Sequence, residues 1–187
     1  MLRDLIDERR AYRSLTPFEV TEELVSDLAR CAQLAPSCYN NQPWRFVFVY
    51  DLEVLLELYG ALPEANAWAK ASSLIIAVVS RKDLDCNIKE REYFLFDTGM
   101  AAAFIILRAT ERGCVAHPIA GYDEEKAKAA LGIPHDMRLI TLVVVGPRSE
   151  GISPLLNDKQ KASEAERPPR LPLEKFAFRN RYATEQQ

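Results

Sequence analysis

Glycine is scarce in this chain, with seven residues in 187. None stands in a GxGxxG or GxxxxGK[ST] pattern, so the backbone cradles of Rossmann and P-loop nucleotide sites have no counterpart here. Histidine is scarcer: only His117 and His135 exist, and the four cysteines (Cys31, Cys38, Cys86 and Cys114) form no CxxC pair. Metal-ligand spacing is therefore absent, and cysteines so irregularly placed read as free thiols of a reducing compartment. A surplus of positive charge is also missing. The net charge of −3 has the wrong sign for a general nucleic-acid binder. No uncharged apolar run is longer than that over residues 98–107, about half of the ~20 residues that cross a bilayer. The start is charged from Arg3 onward, unlike a secretory signal. The expectation is a cytoplasmic protein that engages neither membrane nor nucleic acid.

Apolar residues in patterned runs are plentiful. They make up 48% of the chain, against 27% charged, the composition of one globular domain that buries roughly 70% of its unfolded surface. Leu2, Leu5 and Ile6 predict a short first helix, and Thr21 as N-cap ahead of Leu24, Val25, Leu28, Ala32 and Ala35 predicts a second, stopped by Pro36. The β-branched and aromatic stretch 44–50 reads as a strand, and Asp51 caps a helix to Tyr59 that Gly60 and Pro63 close. Residues 73–80 are apolar throughout, which predicts a strand covered on both faces. A long helix over 89–112 follows, apolar all round at 99–107 and so suited to the core or a subunit interface, and ended by Gly113. A strand over 115–120, a helix from Asp123 to Leu131 and an apolar strand over 139–145, stopped by Gly146 and Pro147, come next. The polar, Pro-rich stretch 148–172 predicts a long extended excursion, and 173–182 regains Leu173, Phe176 and Phe178 as a strand-like piece suited to docking on another subunit. Four or five strands mixed with helices indicate an α+β three-layer fold.

Four groups of residues offer chemistry. Arg9, Arg10 and Arg13 end the first helix; their guanidinium forks suit a doubly charged phosphate, or else form a solvated helix end. Residues 36–44 read Pro-Ser-Cys-Tyr-Asn-Asn-Gln-Pro-Trp. Asn40 and Gln42 there present donors and an acceptor that match a heterocycle edge, or else belong to a turn rich in asparagine. The strand-to-helix turn over 118–123 offers backbone N–H groups and Gly121. Arg170 stands among Pro168, Pro169 and Pro172, a further cation or the mark of a stiff linker. Tyr39, Trp68, Tyr93 and Phe94 are candidates for a pocket wall or for the core.

Taken in order over residues 5–182, these elements resemble the nitroreductase family of FMN-dependent oxidoreductases. The resemblance implies a nitroreductase-like three-layer α-β-α sandwich with a mostly antiparallel central sheet, built as an intertwined homodimer that exchanges C-terminal arms. Residues 1–147 would be the FMN-binding core, and 148–187 an arm of the same domain reaching the partner. It implies that Arg9, Arg10 and Arg13 contact the phosphate, ribityl and pyrimidine side of FMN, and that Arg170 completes the phosphate site. Pro36, Ser37, Cys38, Asn40 and Gln42 of the PSxxNxQPW motif would reach the flavin from the other subunit, and the N–H groups of Ala120 and Gly121 would face N5 and O4. NADH or NADPH would deliver hydride to N5 and give way to an organic acceptor, nitroaromatic or quinone, in ping-pong fashion. Arg13 would favour the anionic reduced flavin. No side chain acts as nucleophile, and no metal is implied.

Departures from the family pattern are Ala11 where Ser is frequent, Ala120 where Glu is frequent, and Pro168 where a basic residue precedes the C-terminal arginine. Cys38 reads as a small replacement for a family serine or as a redox thiol beside the flavin. A specialised flavoenzyme of the same fold (flavin-fragmenting, dehalogenating or dehydrogenating) and a non-catalytic flavin-binding protein are the alternative functions.

Overall fold

Period-two and period-3.6 runs of apolar residues alternate along the chain, and the computed structural model, which describes residues 1–182, converts them into helices and strands in turn. In chain order these are α1 (Leu2–Glu8), α2 (Glu22–Gln33), β1 (Arg45–Val49), α3 (Leu52–Tyr59), β2 (Leu74–Ser80), β3 (Asn87–Ile88), β4 (Arg91–Glu92), α4 (Tyr93–Glu111), β5 (Cys114–Ile119), α5 (Glu124–Leu131), β6 (Arg138–Pro147) and α6 (Asp158–Ala165). The caps are those the sequence offers. Thr21 accepts the Leu24 N–H at 3.2 Å, Asp51 accepts those of Glu53 and Val54, and Asp123 accepts that of Lys126.

The central sheet runs β1-β2-β6-β5, with every neighbouring pair antiparallel. β2 is buried along its whole length, and its side chains divide by parity. Ile75, Ala77 and Val79 join Leu55, Leu58, Trp68, Ala127 and Val144 on one face, while Leu74, Ile76 and Val78 join Leu24, Leu28, Ala101, Ile105 and Val143 on the other. Each face at about 25 cal/mol per Å² of apolar area is a core in its own right. The result is the expected three-layer α-β-α sandwich, α3 and α5 on one side and α2 and α4 on the other.

Several boundaries differ from the sequence reading. The long helix starts at Tyr93, not near Lys89, because Lys89 and Glu90 take φ of 49° and 67° and form the two-residue turn of the β3–β4 hairpin. By length and composition α4 is apolar enough to cross a membrane. One side of it, with Phe94, Ala101, Ala102, Ile105 and Ala109, is packed in the core, and the other leaves Phe96 63% and Phe104 39% exposed. β6 does not stop at Gly146: Pro147 remains paired with Cys114, and its carbonyl accepts from the Thr16 N–H at 3.0 Å. A strand end tolerates proline because only the donor is lost.

The stretch 148–172 is not an extended excursion. Asn157 and Gln160 make a reciprocal capping box that starts α6, Leu156 enters the core, and Glu164 is buried. Residues 173–182 form a short 3-10 turn at Leu173–Lys175 in place of a strand, with Leu173 and Phe176 exposed. Residues 183–187, the end of the expected arm, lie outside the described residues. The thiols also need correction. Cys38 and Cys86 are joined in a disulfide across 48 residues of sequence, and only Cys31 and Cys114 are free. Nothing in the spacing marks this pair, because it depends on the 37–42 loop folding against the segment that leads into α4.

Candidate functional site

Five arginines converge where α1 ends and the chain after α6 returns. Arg9, Arg10, Arg13, Arg167 and Arg170, with Ala11, Ser163 and Pro168, line a cavity of roughly 160 Å³. Among the described residues none of the five is ion-paired with a carboxylate within 4.0 Å. They are aimed by neutral groups. Arg10 Nη2 donates to the Ser163 carbonyl at 2.8 Å, Arg13 Nη1 to Ser163 Oγ at 3.0 Å, and Arg167 Nη2 to the carbonyls of Arg9 and Asp7. Burial, then Arg167 and Arg170, hold the Arg9 guanidinium below its ordinary value. Like charges brought together without carboxylate partners favour an anion, and a fork of donors suits phosphate oxygens.

Glu164 holds this ring in shape. Its carboxylate accepts the backbone N–H groups of Arg13 at 2.7 Å and Ser14 at 3.2 Å, so that α6 is stitched to the N-terminal segment. Arg13 also lies 6.0 Å above the Trp68 ring, and Trp68 stacks on His117 with centroids 4.8 Å apart. His117 is buried, and its Nδ1–H donates to the Tyr12 carbonyl at 2.9 Å. Burial pulls its pKa down to about 4, with Arg13 and Arg9 adding to the effect, which makes it neutral at physiological pH.

Trp68 leads on to the turn at 120–121. Its Nε1–H donates to Asn66 Oδ1 at 3.2 Å, and Asn66 Nδ2 donates to the Gly121 carbonyl at 2.7 Å. A Cβ on Gly121 would stand 2.8 Å from Asn66 Nδ2, so any larger residue there would displace the Asn66 amide. With its carbonyl occupied, the turn leaves Ala120 and Gly121 exposed along a second cavity of roughly 460 Å³, lined also by Gly60, Pro63, Tyr122 and Lys126.

The 36–44 loop lines neither cavity. Tyr39, Asn40 and Gln42 have φ of 48°, 60° and 50°, a conformation costing about 1 kcal/mol or more per non-glycine residue. The loop is pinned internally: Ser37 Oγ accepts the Gln42 N–H at 2.9 Å, and Gln42 Nε2 donates to the Asn40 carbonyl at 3.2 Å. Buried Asp97 accepts the Cys38 N–H at 2.6 Å. Pro36 and Asn40 are exposed, and Tyr39 is 88% exposed. One chain thus unites Arg9, Arg10, Arg13 and Arg170 and connects them to Ala120 and Gly121, but leaves Pro36, Ser37, Cys38, Asn40 and Gln42 apart. Of the aromatic candidates, Trp68 and Phe94 are core. Arg167 was missed although it adjoins Pro168, where a basic residue was sought; Glu164, Asn66 and Asp97 carry no local signal at all.

The profile of the Nitroreductase family matches residues 6–72 and 61–147. A Mycolicibacterium smegmatis protein, known only as an uncharacterised 15.4 kDa protein in the ask 5′ region, is 34% identical over 131 residues, spanning 70% of this chain and 85% of its own. An Archaeoglobus fulgidus protein named provisionally as an NADH dehydrogenase/NAD(P)H nitroreductase is 28% identical over 179 residues, 92% of this chain and 97% of its own. A solved structure described as an oxidoreductase containing FMN superposes with a TM-score of 0.81 at 27% identity, over 96% of this chain and 91% of that one. With its three-layer sandwich and these matches together, this chain belongs to the nitroreductase family.

Proposed function

We propose that this chain is an FMN-dependent NAD(P)H oxidoreductase that acts as a homodimer on a small organic acceptor. The observation that carries the reading is the ring of five arginines without carboxylate partners around a phosphate-sized cavity. The relative described as containing FMN supports it, as does the relative named for NAD(P)H. When bound, FMN supplies two-electron chemistry between a reduced nicotinamide and the acceptor.

The chain's own residues bind and orient. Arg9, Arg10, Arg167 and Arg170 take the phosphate, while Ser163 Oγ in the cavity wall donates to the Gln160 carbonyl and accepts from Arg13, so that it aims the arginine. Arg13, held by Ser163 and Trp68, is the cation nearest the core and serves the ring side. Asn66 turns the Gly121 carbonyl inward so that the N–H groups of Ala120 and Gly121 are free for a ring edge. Backbone donors do this work, so Ala120 in place of glutamate is tolerated. Neutral His117 and Trp68 form a floor that brings no competing charge.

The dimer follows from what one chain leaves apart. Asn40 and Gln42 do not reach the arginines of their own chain, so a second copy brings them. The surface for that copy is the apolar side of α1 and α4 with the C-terminal end of α2, where Leu2 (65%), Leu34 (74%), Phe96 (63%) and Phe104 (39%) are exposed and several line a groove of roughly 730 Å³.

The test is an absorbance spectrum before and after anaerobic NADH and NADPH, run alongside light scattering. The expected result is a dimer with flavin bands that bleach with one or both nucleotides. Bands that neither nucleotide moves would remove the reductase assignment, and a colourless protein unable to take up FMN would remove the flavin as well. A monomer that holds FMN would remove the dimer.

A further inference from the structure

A second cluster of chemically active groups lies at the N-terminal end of α4 and lines neither cavity of the arginine site. The half-buried Cys38–Cys86 disulfide ties the 37–42 loop to the segment before the β3–β4 hairpin. Two carboxyl groups flank it. Asp97, 2% exposed, accepts the Cys38 N–H at 2.6 Å. Asp85 Oδ1 accepts the Cys86 N–H at 2.8 Å and Asn41 Nδ2 at 3.2 Å, while its Oδ2 is buried with no partner. Both sulfurs and an Asp85 oxygen lie within 4.8 Å of one another. Burial raises the Asp97 carboxyl above the usual carboxylate range, the Cys38 N–H works against it, and the facing Asp85 raises it further.

We propose that the Cys38–Cys86 disulfide is a second redox site, one that takes a dithiol as its reductant with the adjacent Asp97 carboxyl as proton donor, and whose opening releases the 37–42 loop. A thiolate of the dithiol attacks one sulfur of the pair, the S–S bond breaks, and its two electrons leave on the other sulfur, which takes a proton delivered by Asp97. The second thiol of the donor then attacks the mixed disulfide, and the remaining cysteine departs as a thiol. The dithiol ends as a disulfide and the cysteine pair as two thiols, two electrons and two protons having crossed. Asp97 regains its proton from solvent. Cys38 and Cys86 are each partly exposed, which gives the attacking thiolate an approach. The loop they anchor has three non-glycine residues at positive φ, strain that the cross-link opposes and its loss sets free.

The consequence for cofactor rests on the function proposed above, because that reading makes Asn40 and Gln42 the loop's contribution to a flavin. There the reduced form holds FMN more weakly.

The experiment uses the full-length protein as purified, equilibrated under native conditions in graded ratios of reduced and oxidised dithiothreitol and quenched with iodoacetamide. Peptide masses then report each cysteine. Cys38 and Cys86 are expected to become alkylated together while circular dichroism shows an intact fold. Protease cleavage within 37–42 is expected to rise in the reduced protein and in Cys86→Ser. Asp97→Asn, which keeps an acceptor for the Cys38 N–H, is expected to slow reduction on the order of tenfold, below the usual range for a positioned proton donor. A pair found unbonded in air, a bond that opens only on unfolding, or a reduced protein with unaltered cleavage would overturn the proposal. FMN is followed in the same samples by its fluorescence. Protein that never binds FMN sinks the function proposed above and leaves the thiol titration and the cleavage standing, so the two failures are distinguishable.

Discussion

At the scale of single residues, His117 shows how far burial changes a role. In the sequence it is one of two histidines and at most a metal ligand; in the fold it is a neutral ring between Trp68 and the Tyr12 carbonyl. Its folded pKa of about 4 lies below the ordinary 6.5, so the unfolded chain takes up the proton first as pH falls. The stability this neutral ring contributes is complete above pH 6.5 and is lost as pH falls toward 4, by on the order of 3 kcal/mol. Urea midpoints measured between pH 7 and 4 check this, and His117→Gln should flatten that part of the profile. For the arginines, Arg9→Ala and Arg13→Ala should each weaken FMN binding by about tenfold or more, the effect of one hydrogen bond to a charged group. Fluorescence titration reads it directly. The arginines were legible because Arg9, Arg10 and Arg13 stand within one turn of each other; Asn66 was not, because its partner Gly121 is 55 residues away.

Elements were legible in proportion to their periodicity. The unbroken apolar run of β2 and the capped pattern of α2 and α3 could be read to within a residue or two, whereas α6 is polar, short and hidden behind prolines. Its capping residues Asn157 and Gln160 were present in the sequence without an apolar run to point to them. What makes α6 structural is Glu164, a single buried acceptor for two N–H groups. Glu164→Ala strands both donors, and it should cost about 2–4 kcal/mol. The melting temperature should fall accordingly and FMN affinity with it, because Ser163 and the arginines lose their frame.

The molecule as a whole depends on contacts that no local pattern encodes. Four cysteines give no hint that one pair joins across 48 residues, yet closing such a loop stabilises by about 4 kcal/mol on the chain-entropy view. Denaturant unfolding of Cys86→Ser against the oxidised protein should show a loss approaching that. The outer side of α4 is the other global feature. Phe104→Glu places a charge on the exposed apolar groove, and light scattering should find monomers that have lost FMN. The tie made by Glu164 and Ser163 has a consequence in time. Arg13 leaves the ribosome some 151 residues before the carboxylate that fixes its backbone. Until α6 has been made, the nascent chain displays a basic segment with no nest to close around it. The arginine site therefore assembles only once α6 has emerged, and a ribosome stalled before α6 would carry a sandwich with every strand in hand and nowhere to seat a phosphate.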